Sequence, residues 1–350
     1  MMPTLIPHSR PWIADEDQRA VKEVLQSGMI AHGRLIQTFE QAVATQLTVC
    51  GALACTSGTA ALSLALKVLK IGTGDEVILP TYVCWSVLAA ITATGATPRF
   101  CDVNEQGVIT VQTVSVQINS RSRAIVAVHI FGHPCDISSF GNLGLPVIED
   151  ACQAFGLEID SVPAGALGTF GILSFHATKC MTTGEGGMLV SGDPDLIKRA
   201  RMLVGSDDKS NAAGFAAMSD LQAALGIAQL MRYSSFLERR REIFDAYHQA
   251  VCGLTDINPG YWGEPAFLFR YTLRAQQGFE WAHLALLKHG VQARRGVDEL
   301  LHRRFRLDDR NFPGALNIFT KSISLPFYPS LISDERDQVI QAVQEVFYGS

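Results

Sequence analysis

From Gly51 to Val204 the chain repeats one pattern: a short apolar run, then a stretch with helical spacing. Ala52–Cys55 leads into Ala60–Leu69, and Glu76–Leu79 into Val83–Thr94. Further runs follow at Arg99–Val103, Ala124–Phe131, Pro146–Ile148, Gly171–Phe175 and Gly187–Ser191. These runs are apolar throughout instead of alternating, so both faces of each strand are expected to be buried. Strands of that kind belong to a mainly parallel sheet covered by helices, an α/β domain.

The remainder reads as a smaller α+β unit. Ser219 and Gln222 form a capping-box pattern that opens a long helix, with Leu221, Leu225 and Leu230 on its expected apolar face. Beyond it the spacing predicts a strand over Phe267–Leu273, a helix over Glu280–Lys288 closed by Gly290, and a last helix over Ser333–Phe347. The expected division is a large domain over 1–235 and a small one over 236–350. A chain of 350 residues, 47% hydrophobic, can bury two such cores.

Charge narrows the choice of partners. The net charge is −5 and the basic residues are scattered, so nothing offers a stripe for nucleic acid or for an anionic membrane. Pro3, Pro7 and Pro11 interrupt the start before any apolar signal region forms, and no stretch reaches the length of a membrane span. A cytoplasmic location is expected. The eight cysteines contain no C-x-x-C pair, so neither a metal site nor a disulfide framework is expected.

Three segments could carry chemistry. Thr56-Ser57-Gly58-Thr59 joins a strand to a helix, leaving backbone N–H groups and hydroxyls aimed outward, which suits a phosphate; a hydroxyl there also serves as an ordinary helix cap. Val147–Gln153 ends a strand in Glu149 and Asp150, and strand ends are where open α/β sheets bind ligands. Ser174–Gly187 places Lys179 between an apolar strand and a Gly-rich turn, where desolvation can make an amine nucleophilic toward aldehydes. An anion cradle, a strand-end acid and a sequestered lysine, in this order, are the parts that pyridoxal 5'-phosphate (PLP) needs.

At these residues the sequence resembles the DegT/StrS family of PLP-dependent sugar aminotransferases, with their fold-type-I, aspartate-aminotransferase-like architecture. The similarity runs over nearly the whole chain. It includes Ser57–Leu62, Gly74–Pro80, Gly95–Pro98, His129–Pro134, Glu149–Ala151, Gly184–Gly187, Ser219–Gly226 and Ser324–Pro326. The resemblance implies that Lys179 forms the Schiff base and later shuttles protons, and that Asp150 pairs with the pyridinium nitrogen. Gln153 would stand near the ring's phenolic oxygen, and Gly58, Thr59 and Ser174 would hold the phosphate. His302 is similar to a histidine that reaches the substrate in some members; a surface histidine in a basic segment would look the same.

The implied reaction moves an amino group from an amino acid, glutamate by expectation, to a keto-sugar that is usually nucleotide-linked. A sugar dehydratase on the same scaffold is the near alternative, but such members replace the lysine with histidine. A non-catalytic sugar- or PLP-binding relative is the distant one. Three departures stand out. Cys84 occupies the position at which the family usually stacks an aromatic on the cofactor ring. Phe215-Ala216-Ala217 replaces an Asn-Tyr-Arg-like stretch whose Asn reaches the neighbouring subunit's phosphate, and Ala177 stands where proline is common. A homodimer is implied, with Ser206–Ala217 crossing to the partner.

Overall fold

The structure, a computed structural model, describes residues 5–205, 217–252, 254, 256–259 and 267–347. Two helices, α1 (Asp15–Ser27) and α2 (Arg34–Leu47), precede the alternating region. In α2 the apolar residues Ile36, Phe39, Val43, Ala44 and Leu47 fall at helical spacing, and all are buried.

The alternating region then delivers β1 (Gly51–Cys55), α3 (Gly58–Val68), β2 (Glu76–Pro80), α4 (Trp85–Thr92), β3 (Thr97–Cys101), the short α5 (Val111–Ser115), β4 (Ser122–Val128) and β5 (Val147–Asp150). After a two-residue hairpin of β6 (Glu158–Ile159) and β7 (Val162–Pro163) come β8 (Phe170–Ser174), β9 (Gly187–Ser191) and α6 (Pro194–Val204). Seven of these strands form one sheet in the order β1-β9-β8-β5-β4-β2-β3. Pairing is parallel from β3 through β8, and only β9 runs antiparallel to its two neighbours. β2, β5 and β9 are buried along their whole length, the carboxylates Glu76, Glu149 and Asp150 included.

Two details differ from the sequence reading. The run expected to continue to Phe131 leaves the sheet at Val128; His129 turns the chain, and Phe131 sits in the left-handed region with φ 56°. On α7 (Asp220–Met231) the capping box forms as expected, but the buried face is Ala223, Ala224, Gly226 and Ala228 while the leucines are only partly covered. The reason is contact distance. A Cβ on Gly226 would lie 2.7 Å from the Phe39 ring, so α7 packs too closely on α2 for large side chains between them.

From α8 (Tyr233–Val251) the chain builds its second unit: β10 (Ile257–Pro259), β11 (Thr272–Ala275), α9 (Phe279–Lys288), α10 (Pro313–Lys321), β12 (Ser322–Ser324) and α11 (Ser333–Phe347). β10, β11 and β12 form a three-stranded antiparallel sheet. The strand expected over Phe267–Leu273 starts only at Thr272. Ahead of it Phe267, Leu268 and Phe269 are buried without ladder partners among the described residues, and the buried Arg240 guanidinium donates to the Leu268 and Phe269 carbonyls (3.3 and 3.0 Å). A side chain thus supplies the hydrogen bonds that a neighbouring strand would have given.

There are two apolar cores. One surrounds the seven-stranded sheet and takes in Phe267, Phe269, Val297 and Leu301; the other gathers Ile243, Tyr247, Tyr271, Leu273, Ile323 and Val343, together with Ile6 from the N-terminal segment. Ile6 reaches it by a parallel bridge to Val291. Among the described residues no helix is long and apolar enough to cross a membrane.

Candidate active site

The N-terminus of α3 lies beside the carboxyl ends of β5 and β8, the position at which an open α/β sheet presents a crevice. Ser57 caps α3 by accepting from the Ala60 N–H at 3.1 Å, so its hydroxyl is committed to the backbone. Small residues make the approach possible. A Cβ on Gly187 would stand 2.3 Å from the Ser57 carbonyl carbon and 2.4 Å from the Gly58 nitrogen, and one on Gly58 would meet Cys152 Sγ at 3.1 Å and Ser174 Cβ at 3.2 Å. The helix end is therefore seated directly on β9 and β8.

Asp150 closes β5 with a side chain only 6% exposed, and one carboxylate oxygen accepts the Cys152 N–H at 3.0 Å. Lys179 follows β8 in a segment folded back on itself. Phe175 N–H donates to Gly186 O (2.8 Å), Thr183 N–H to Phe175 O (2.9 Å) and Lys179 N–H to His176 O (2.9 Å). The half-buried Lys179 ammonium lies 5.4 Å from the Phe269 ring centroid, in cation–π range. Asp150 and Lys179 also act on the same thiols. Burial first, then the Asp150 carboxylate, push the pKa of Cys152 well up, while the Lys179 cation opposes them; Cys84, an exposed residue, feels the same two charges. The Cys152 thiol stays protonated and is no nucleophile at neutral pH.

All of these groups face one cavity of about 400 Å³. Gly58, Thr59, Cys84, Asp150, Gln153, Ser174 and Lys179, every residue that sequence reading assigned to cofactor or chemistry, line it. His302 does not. It is fully buried, its ring stacks on Phe312 at 4.0 Å, and its two nitrogens meet Thr81 Oγ1 (2.7 Å) and Asp309 Oδ1 (2.9 Å). The segment Ser206–Ala217, including Phe215, lies outside the described residues except for Ala217, which bridges Cys55.

The opposite wall comes from the second unit and was not read from the sequence. Phe269, Arg270, Arg294, Arg295 and Asp298 complete the cavity. Arg270 donates to the Arg295 and Gly296 carbonyls (3.2 and 3.4 Å) and lies over the Phe131 ring. Arg295 donates to Phe319 O (2.7 Å) and pairs with Glu280. Arg294 is exposed, and among the described residues its guanidinium has no hydrogen-bond or ion-pair partner. The adjacent Arg294-Arg295 pair, ahead of Gly296, was the only sequence signal for this wall.

The donor set fits PLP. Backbone N–H groups and the Thr59 and Ser174 hydroxyls suit a phosphate, a buried carboxylate suits a ring cation and the lysine suits an aldehyde, while the missing Cβ atoms at Gly58 and Gly187 leave the cradle open.

Comparison with known proteins gives the same answer independently. Residues 11–344 match the DegT/DnrJ/EryC1/StrS aminotransferase family. The chain is 32% identical to the spore coat polysaccharide biosynthesis protein SpsC of Bacillus subtilis (strain 168), over 99% of this chain and 98% of that one. It is also 32% identical to GDP-perosamine synthase of Escherichia coli O157:H7, over 98% of each. Among solved structures, the PLP form of Streptococcus pneumoniae Spr1654 superposes with a TM-score of 0.91 at 26% identity, over 98% of this chain and 99% of that one. Site geometry and similarity along almost the full length converge: the chain belongs to the DegT/DnrJ/EryC1/StrS aminotransferase family, the PLP-dependent sugar aminotransferases.

Proposed function

We propose that this enzyme transfers the amino group of glutamate to a nucleotide-linked keto-sugar, with Lys179 as the residue that carries PLP. The carrying observation is the convergence of Lys179, Asp150 and the N-terminus of α3 on one cavity. In this reading Gly58, Thr59 and Ser174 bind the cofactor phosphate, Asp150 keeps the pyridinium nitrogen protonated and Gln153 faces the phenolic oxygen. Bound PLP supplies the electron sink and the aldehyde that holds the amino group between donor and acceptor. With PLP bound, Lys179, once its amine is free, would be the base that takes the proton from the donor's Cα and the acid that gives it back, the roles reversing with the acceptor. Phe269 flanks that amine on an apolar side, and the long side chains of the opposite wall cover the crevice.

Arg294 supports a nucleotide-linked acceptor, since an exposed cation at the cavity with no ion-pair partner among the described residues suits a diphosphate. GDP-perosamine synthase, by its name, makes a GDP-linked sugar. In this reading a large cofactor-binding domain spans 1–235 and a small domain 236–350, the second core being drawn, Ile6 apart, from residues after 235. The reading also includes a cytoplasmic homodimer.

The test is borohydride reduction of the purified yellow enzyme, followed by peptide mapping. The label is expected on Lys179 alone, glutamate is expected to bleach the visible band, and a panel of nucleotide keto-sugars to restore it. A label on Lys67, Lys198 or Lys288 would remove the assignment.

A further inference from the structure

Glu149 precedes Asp150 on β5 and points to the other side of the strand, where it is fully buried. Its carboxylate accepts four hydrogen bonds: from Gly165 N–H (2.6 Å), Leu167 N–H (2.8 Å), Gly168 N–H (2.9 Å) and His129 Nε2 (2.8 Å). His129 is equally buried, and its other ring nitrogen, Nδ1, receives the Cys135 N–H at 2.9 Å. A ring nitrogen that accepts carries no proton, so the ring proton is on Nε2 and is donated to Glu149. The His129 backbone N–H donates to Asp150 O at 3.1 Å. One residue therefore ties the end of β4 to the end of β5 and closes the loop from 129 to 135 upon itself.

That loop holds Phe131 at φ 56°, uncommon for a bulky side chain and kept only where the surroundings enforce it. In this conformation the Phe131 N–H donates to Gln153 Oε1 at 2.8 Å. That bond fixes which way the Gln153 amide faces: its oxygen is turned to the Phe131 N–H, which leaves its N–H groups as the donors for the cavity that it lines.

We propose that the buried His129–Glu149 pair is a positioning unit: by fixing the left-handed Phe131 turn it captures the Gln153 carbonyl and orients the Gln153 amide as a donor toward an oxyanion in the cavity. This rests on the reading that the cavity takes PLP, whose phenolic oxygen is the acceptor. Neither His129 nor Glu149 touches the reacting atoms. Donation to the ionised phenolic oxygen favours that form, so the pH midpoint of the cofactor's visible band is held low.

The test compares the PLP dissociation constant of the apoprotein, the pH midpoint of the visible band and the melting temperature across variants that leave Asp150, Lys179, Cys84 and Cys152 in place. Gln153→Leu sets the ceiling: a midpoint raised by about one unit and cofactor binding weakened about tenfold. His129→Asn keeps an acceptor near Cys135 but withdraws the donor from Glu149, and should move both readouts most of the way to that ceiling. His129→Gln restores an N–H toward Glu149 and should recover part of the shift. The double variant His129→Asn with Gln153→Leu should add nothing to Gln153→Leu, because both act through one amide.

Additive effects in the double variant would overturn the proposal, as would a fall in melting temperature with the midpoint unmoved. If His129→Asn does not fold, Gln153→Glu decides. It still accepts from Phe131 but has no N–H to give, so its midpoint must rise above that of Gln153→Leu; a parental midpoint refutes the donor assignment. Borohydride labelling of the parent at Lys179 separates the two levels: without it the PLP reading fails, and with it an additive result removes only this inference.

Discussion

The two walls of the cavity are built in different ways. On the side of the large sheet the groups are short and their positions are set by backbone: Gly187 permits a contact that a Cβ would forbid, Gly58 one that a Cβ would crowd, and Asp150 and Gln153 are each held by a main-chain N–H. On the other side Arg270, Arg294 and Arg295 reach in on long side chains, two of them steadied by carbonyls and aromatic rings and one by nothing among the described residues. The first wall has the precision that a fixed cofactor needs, and the second has the reach and charge for a variable anionic substrate.

The comparison breaks most visibly at Lys179. Lys179→Ala should lower turnover by about 10³-fold or more, because it removes both the attachment and the proton carrier. PLP should still bind, held by the α3 end and Asp150, but without a borohydride-stable label, and dialysis against cofactor-free buffer should release it. Full loss of cofactor binding would mean that the backbone wall is not the main holder.

Asp150→Asn comes next. The amide preserves the acceptor for the Cys152 N–H but cannot hold the pyridinium proton, so turnover should fall by about 10²-fold while the visible band persists. Turnover within about twofold of the parent would sink the role.

The first wall was legible in the sequence because its logic is local. A Gly between strand and helix, an acid at a strand end and a lysine before a Gly-rich turn keep their meaning wherever the strand lies in the sheet. Boundaries failed where tertiary contacts replaced the ladder: at Val128, where the His129 ring turns the chain, and at Phe267–Tyr271, where Arg240 satisfies the carbonyls. The leucines of α7 yielded to alanines because the closeness of α2 cannot be read from one helix. His302 was expected at the substrate by resemblance alone; only the fold shows it buried, with both nitrogens engaged with Thr81 and Asp309. The arginine wall was invisible because residues 270, 294 and 295 meet the strand ends only through the packing of the second unit.

Acid should act away from both walls, on the joint between the N-terminal segment and the second unit. His8 fastens the N-terminal segment to the second unit through Ser324 Oγ (3.0 Å), and burial, followed by Arg270 and Arg294, lowers its pKa to about 2. The unfolded chain then binds a proton below about pH 6.5 that the folded chain refuses, so stability is full above that pH and declines as pH falls toward 2. By pH 5 the loss from His8 should be about 2 kcal/mol at most. His133, lowered to about 4 by burial and Arg274, adds to it over the narrower window from about 6.5 to 4. Urea unfolding at neutral and mildly acid pH should show the decline, and His8→Gln should flatten it. An unchanged slope in that variant would show that His8 is not the sensor.

The smallest effect is expected at Arg294, and it tests the second wall directly. Its guanidinium is exposed and lies at the cavity without a described partner, so truncation costs no internal hydrogen bond and should leave folding, the visible band and the glutamate half-reaction as they are. What it should lose is attraction for the acceptor. Arg294→Ala should raise KM for a nucleotide-linked keto-sugar by about five- to tenfold at unchanged kcat, the pattern of an interaction shared by ground and transition states. The rise should shrink with added salt, since solvent screens an exposed pair, and Arg294→Lys should recover much of it. A fall in kcat at constant KM would move Arg294 to the side of chemistry. An effect confined to the glutamate half-reaction would instead assign this cation to the donor's carboxylate, and the division of labour between the two walls would have to be redrawn.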